Sequence, residues 1–428
     1  MARVRPFAAY RYARSGDIST LTAPPYDVIS AEQRAELLAR DAHNVVALEL
    51  PDGPLDPTVP GNRYETGAAT WRRWREEGVI ARDAEPNVYV LEQLTQHADR
   101  VVRRRAFIIE VGLEPFSAGV VLPHERTLPK ALGDRFELIR ATCANLSQVL
   151  GLFDDAEAVT DDIFDAIAAG DPIATATDAD GVVSRLWSTS DPAIAEQLAS
   201  IFAGKQIFIA DGHHRYTTAL AYRDERRASA TDDPLDPAYD FVMMALVNMD
   251  DPELIVMPTH RVADAEEAFD SEAFWAALSP RFDITDLAAN DVDSALERID
   301  RPAYIVAVRG EERPKLVTLR DDVDLDDAIG LNRSHAWKHL DVAVLQELIL
   351  GPILGVHQDR PETLDRLSFV KDAKGAFVQT TEHDVVFIMR PTRMDQLRAV
   401  ALAGETMPQK STYFYPKLLS GLVFRGAE

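Results

Sequence analysis

Residues 205–220, KQIFIADGHHRYTTAL, leave the backbone very few paths. Ile207, Phe208, Ile209 and Ala210 form an apolar run of strand length, Asp211-Gly212 is a turn pair, and beyond it Tyr216, Ala219 and Leu220 share one helical face. The chain must therefore pass from a buried strand through a glycine turn into a helix start. That geometry points free backbone N–H groups at whatever lies beyond the turn, and the helix dipole adds roughly 0.3–1 kcal/mol for an anion. His213, His214 and Arg215 at the same corner make it a phosphate site, while Asp211 is an acceptor for a hydroxyl or a metal ion. His213 and His214 are adjacent, so their side chains diverge by about 100° on a helix and do not form an i,i+4 metal pair. A plainer role, Asp211 capping the helix and the imidazoles satisfied at its end, requires fewer polar groups than stand here.

A second constellation is VVLPHERTLPK at 120–130, followed by Asp134 and Arg135. An apolar strand delivers His124, Glu125, Arg126, Thr127 and Lys130 into a loop punctuated by Pro123 and Pro129. A carboxylate among several cations suits the orientation of a hydroxyl beside phosphate, and a surface salt-bridge loop is the alternative. Phe136, Ile139, Cys143, Leu146 and Leu150 then recur at helical spacing, which places Arg135 and Arg140 on or near the other face. Near the C-terminus, GETMPQKST at 404–412 imitates the spacing of a phosphate-cradling loop. Gln409 stands where the second glycine is needed and Pro408 removes an N–H, so it is not a Walker A motif. Lys410, Ser411 and Thr412 can still meet a phosphate as a point charge and donors. Thr259-His260-Arg261 and Asn145-Leu146-Ser147 read as structural.

Charge narrows the function. With 45 Lys and Arg against 70 Asp and Glu, the formal net charge is -25, the wrong sign for a protein that coats nucleic acid. Eleven acidic residues and one basic, Arg185, fall within 154–200, among apolar periodicity that reads as a solvated helical face. The single Cys143 excludes an internal disulfide and gives no zinc-knuckle spacing. No apolar run reaches membrane-spanning length, and the basic start lacks a signal-peptide core, so a cytoplasmic protein is the expectation.

The element pattern is mixed α/β (α+β). Strands are expected at 45–50, 88–91, 100–109, 207–210, 241–247, 303–308 and 385–389. Helices are expected after Ser30, which with Gln33 has capping-box spacing, and at 64–77, 266–278 and 342–350; 230–239 reads as a loop. Three regions follow: 1–155 with the HERT loop, 156–265 with the acidic helices and the DGHHR core, and 266–428 with the MPQKST loop.

APPYDVIS, LPHERTLPKALGDRFELIRATCANLSQVLGLF, IADGHHRYTTAL, MPTHR and MPQKSTYFYPKLLSGLV, in this order along almost the whole chain, resemble the bacterial family ten-fifteen of the domains of unknown function. The DGHHR element is also similar to the signature of the ParB/sulfiredoxin superfamily, particularly its free serine kinases. The resemblance implies a ParB/sulfiredoxin-like core with large insertions, and an enzyme that phosphorylates free L-serine from a nucleotide, ATP or ADP, with Mg²⁺. In that picture Asp211 binds the metal or the attacking hydroxyl, Asp211 and His214 are catalytic, and Gly212, His213 and Arg215 clamp phosphate oxygens. Loop chemistry, not the resemblance, assigns Glu125 to accept the proton or orient serine, and His124, Arg126, Lys130, Arg135, Lys410 and Ser411 to supply further nucleotide contacts. The rivals are a ParB-type nucleotide switch, which the net acidity disfavours as a DNA clamp, and a phosphoserine phosphatase using the same anion pocket.

Overall fold

The computed structural model describes residues 1–125, 129–230, 235–287 and 294–428, with the side chains of residues 129–131 excepted. Arg126, Thr127 and the Lys130 side chain thus lie outside the described residues, as does part of the expected 230–239 loop. The chain forms a mixed α/β structure in two compact units. The first comprises Met1–Pro123, Thr127–Leu254 and Pro416–Glu428; the second comprises His124–Arg126 and Ile255–Tyr415.

The first unit is organised by a ten-stranded mixed sheet. Its strands run in the order Gly16–Asp17, Ala174–Thr177, Val183–Thr189, Val88–His97, Arg100–Gly112, Phe241–Asn248, Val149–Phe153, Ile207–Asp211 and Val121–Leu122, and Val4–Arg5 pairs beside Arg100–Gly112. One pleat face carries Val88, Val90, Phe107, Ile109, Val149, Ile207, Ile209, Met244 and Leu246 into a core. The core is closed by Ile163 and Phe164, by Leu198 and Phe202, and by Tyr216 and Ala219 of the helix His213–Ser229. Period-two alternation sends Gln93 and Arg104 to the opposite face, where they stand directly across from each other in the ladder. The helix Pro129–Thr142 packs against both Arg63–Glu76 and His213–Ser229.

The expected boundary near 155 falls between strands of this one sheet, since Val149–Phe153 pairs with both Ile207–Asp211 and Phe241–Asn248. The chain enters the second unit at Ile255, about ten residues before the expected division. That unit contains an antiparallel six-stranded sheet in the order Phe282–Asp286, Lys315–Leu319, Ala303–Val308, Val385–Ile388, His260–Ala263 and Leu367–Val370. Val262, Ile305, Val386 and Ile388 form its core with Ala376.

Four local expectations give way to tertiary context. Residues 45–50 form a helical turn, Val46–Glu49, because Asn44 Oδ1 accepts the Val46 N–H and Val45 is already helical. The helical spacing across 136–150 stops at Thr142: Cys143 takes a positive φ of 49°, and Ala144–Asn145 leaves as a strand paired with Arg425–Gly426. Leu150 thus serves a strand. The helix expected from 266 starts at Ser271, where the Asp270 side chain accepts the Ala273 N–H. Residues 342–350 begin as the α-helix Asp341–Leu345 and widen into a π turn, Gln346–Leu350. The Ser30 capping box forms with both of its bonds, at 3.2 and 2.9 Å.

Phe202 is fully buried with its ring centroid 4.8 Å from that of Phe153. Phe202→Ala should destabilise the first unit by about 3–5 kcal/mol, read as a lower urea midpoint at unchanged m value.

Candidate functional site

The candidate residues fall into two groups, one within each unit. In the first unit the strand Ile207–Asp211 ends at Asp211, and Gly212 turns the chain into the helix His213–Ser229. Gly212 has φ +89°, and a Cβ there would lie 2.9 Å from the Arg215 Nε. The left-handed backbone is what requires glycine here, and it lets the guanidinium fold back close over the turn. Gly212 stands at the N-cap position of that helix, and the Asp211 side chain meets cations. Its Oδ2 accepts from the Lys417 Nζ at 2.5 Å, and its Oδ1 lies 3.7 Å from the Arg215 Nη2. Burial pushes the Asp211 carboxyl up, but Lys417, Arg215 and His213 outweigh it and hold the group well below the usual carboxylate range. Asp211 is thus a persistent anion.

Three polar side chains extend this corner across the sheet. Lys417 offers its backbone carbonyl to Gln93 Nε2 at 3.0 Å, and Gln93 Oε1 accepts from Arg104 Nη2. Arg104 is only 3% exposed; burial draws its pKa down to about 10, with Asp211 opposing the shift. Its Nε and Nη1 have no hydrogen-bond partner among the described residues. On the other side, Arg215 donates through Nη1 to the Gln148 carbonyl, and its Nε has no partner among the described residues. Arg104, Lys417 and Arg215 thus set three cations around one carboxylate. Buried N–H groups without acceptors are costly, and more so on a charged group. An acceptor brought to them would remove that cost.

Arg135 takes a different place. It is buried, donating to Glu49 Oε2 at 3.2 Å and Asp134 Oδ2 at 2.5 Å, with its guanidinium over the Tyr26 ring at 4.1 Å. Two carboxylates already neutralise it. It lines, with Glu49, Leu146, Ser147, Arg215 and Thr218, a cavity of about 40 Å³, room for a water molecule or so.

In the second unit His124 and Glu125 meet the MPQKST segment, with Glu125 and Met407 forming a parallel bridge. The fully buried His124 places Nε2 2.8 Å from Thr412 Oγ1. Glu125 Oε1 accepts the Ser411 N–H at 3.1 Å, and the Ser411 hydroxyl donates to the Pro408 carbonyl. Both Ser411 donors are therefore engaged inside the unit. Lys410 holds a positive φ of 55° and gives its carbonyl to Arg261 Nη2 at 3.1 Å. Burial, reinforced by Arg261, lowers His260 to about pKa 4, and its Nδ1 accepts the Met389 N–H at 3.1 Å. The structural reading of Thr259-His260-Arg261 agrees with that buried bonding.

Arg104, Gln93 and Lys417 went unmarked by sequence reasoning. A signal existed for each cation. Within Arg103-Arg104-Arg105, strand alternation isolates Arg104 from its two neighbours, and Lys417 is the only cation between Tyr413 and Phe424.

The chain belongs to the family described as "Protein of unknown function (DUF1015)", which it matches over residues 4–343. No curated protein matches it. Among solved structures, a conserved hypothetical protein from Pyrococcus furiosus is 12% identical, with a TM-score of 0.33 over 73% of this chain and 92% of that one. A free serine kinase in complex with AMP is 12% identical, with a TM-score of 0.36 over 72% and 86%. C-terminally truncated SbnI from Staphylococcus aureus is 14% identical, with a TM-score of 0.34 over 71% and 84%. Likeness at this level carries no argument about chemistry, which rests on this chain's own residues.

The depressed pKa of Asp211 has a measurable consequence. Its folded value lies below the unfolded one near 4, so its contribution to stability is complete above about pH 4 and is lost as the pH falls through the folded value. Asp211→Asn should be less stable than wild type at pH 7, and the gap should close as the pH is taken below about 4 in urea melts across pH.

Proposed function

We propose that the Asp211 corner of the first unit grips the terminal phosphates of a nucleotide, and that the protein is a small-molecule phosphotransferase with an alcohol acceptor. The observation that carries this reading is the pair of guanidinium groups, Arg104 and Arg215, with unpartnered N–H donors on either side of a carboxylate already neutralised by Lys417. Cations in excess over carboxylates, in a chain of net charge -25, are arranged to hold an anion of more than one charge. The first turn of the helix His213–Ser229 adds backbone donors and the positive end of its dipole.

Phosphoryl transfer asks little covalent chemistry of a protein. The acceptor oxygen bonds to the terminal phosphorus and gives its proton to water, the bond to the departing nucleotide oxygen breaks, and catalysis consists of positioning and charge neutralisation. Arg104, Arg215 and Lys417 would neutralise the phosphate oxygens, with His213 and His214 at the mouth of the turn. Asp211 is too acidic to be an efficient general base at neutral pH, and its role is to orient the acceptor hydroxyl. L-serine as that acceptor, and ATP or ADP as donor, are what the similarity of DGHHR to free serine kinases implies.

Magnesium fits this corner only in a shared way. Asp211 is a single carboxylate already held by Lys417, and no group of three metal-binding side chains includes it among the described residues. A Mg²⁺ ion here would be bound chiefly by the phosphates it accompanies and would supply further charge neutralisation.

An amino-acid panel incubated with ATP or ADP and Mg²⁺ should show one product heavier by a phosphate, expected on L-serine. Asp211→Asn and Arg104→Met should each lower its formation by about 10²–10³-fold while the fold persists. Release of inorganic phosphate with no acceptor modified would favour a nucleotide switch instead, and turnover of phosphoserine without nucleotide would favour a phosphatase. Wild-type transfer rates in both variants would overturn the assignment of the corner.

A further inference from the structure

Away from the Asp211 corner, the second unit carries three side chains whose chemistry the proposed transfer does not use. The short helix His335–Lys338 is capped by the Ser334 hydroxyl, which accepts the Trp337 N–H at 3.2 Å. His335 and His339 are four residues apart, so one helical turn stacks their rings, with centroids 3.7 Å apart. Asp326, from the turn Leu325–Ala328, reaches the same spot, and its Oδ2 is 3.0 Å from His335 Nδ1. One ligand atom from each of the three residues lies within 4.8 Å of the other two. Ligands at about 2.0–2.2 Å around a tetrahedral ion stand roughly 3.5 Å from one another, so only small rotamer adjustments separate this triad from a closed coordination sphere.

We propose that Asp326, His335 and His339 form a binding site for a divalent transition-metal ion of the zinc type. Nitrogen and carboxylate donors in this ratio suit zinc better than magnesium or calcium, which prefer all-oxygen shells. His339 is already oriented for the task. Its Nδ1 lies 2.9 Å from the His335 carbonyl, which places the proton on Nδ1 and leaves the Nε2 lone pair for a metal. The scaffold is also fixed on both sides. Trp337 Nε1 donates to the Thr406 carbonyl at 2.9 Å, Ser334 N donates to Glu405 at 3.1 Å, and Lys338 Nζ donates to the Asp326 carbonyl at 2.7 Å. The Lys338 ammonium, 3.8 Å from Asp326 Oδ1, lowers the affinity such a triad would otherwise have. Three protein ligands leave the fourth position of a tetrahedral ion open to water or a fourth donor.

The test is a titration of the full-length protein with zinc chloride, in competition with a chromophoric chelator, without nucleotide or acceptor. One zinc ion per chain is expected. His335→Ala and His339→Ala should each weaken binding by at least about 100-fold, and Asp326→Asn by about 10-fold. His335 and Asp326 are exposed, so these variants should keep the wild-type circular dichroism. Zinc binding at wild-type affinity in both histidine variants, or no zinc bound by the wild type, would overturn the proposal. Neither outcome bears on phosphate transfer at Asp211, whose own assay is independent of this site.

Discussion

The contact on which the first unit's polar corner depends is the one between the Lys417 ammonium and the Asp211 carboxylate, 2.5 Å apart. It ties the end of the strand next to the sheet's Val121–Leu122 edge to a segment contributed from the far end of the chain. The lysine backbone continues the connection through Gln93 to Arg104, and the carboxylate continues it to Arg215. Without the ammonium, burial of Asp211 would be opposed by Arg215 and His213 alone, and its carboxyl would rise. The same arrangement leaves positive charge in excess, so what holds the corner together also makes it receptive to an anion.

Much of this was legible along the chain, and the reason is locality. The strand–glycine–helix turn at 207–216 is written in consecutive residues, so period-two and period-3.6 patterns and a single obligatory glycine define it. The long strands Val88–His97 and Arg100–Gly112, the Ser30 cap and the helix Arg63–Glu76 were legible for the same reason. Residues 45–50 and 136–150 misled because burial and strand pairing with Arg425–Gly426 override local periodicity there. Arg104 and Lys417 lie 107 and 206 positions from Asp211, and nothing in a local window announces that they will meet it. Arg135 shows the converse: a cation that reads as a phosphate ligand from its loop is already matched by Glu49, 86 residues away.

The second unit repeats the lesson with another outcome. HERT and MPQKST are far apart in sequence, and both invite a catalytic reading. The structure joins them through Glu125 and Ser411, 286 residues apart, in bonds that satisfy the serine's own donors. A motif rich in polar residues can therefore be a seam as well as a site. The means of telling them apart is whether buried donors remain without acceptors, as they do at Arg104.

The first unit is assembled from chain segments on either side of Ile255–Tyr415, and its last piece, Pro416–Glu428, is translated after the whole second unit. At about 5–20 residues per second a ribosome takes roughly 10–30 s to cross that interval. For all of it the nascent polypeptide carries Asp211 without Lys417, and Glu110 without the buried Arg425 that reaches it at 2.5 Å. Every strand of the large sheet lies before residue 249, so what waits on this last piece is the Lys417 contact to Asp211, the Arg425 contact to Glu110 and the pairing of Arg425–Gly426 with Ala144–Asn145.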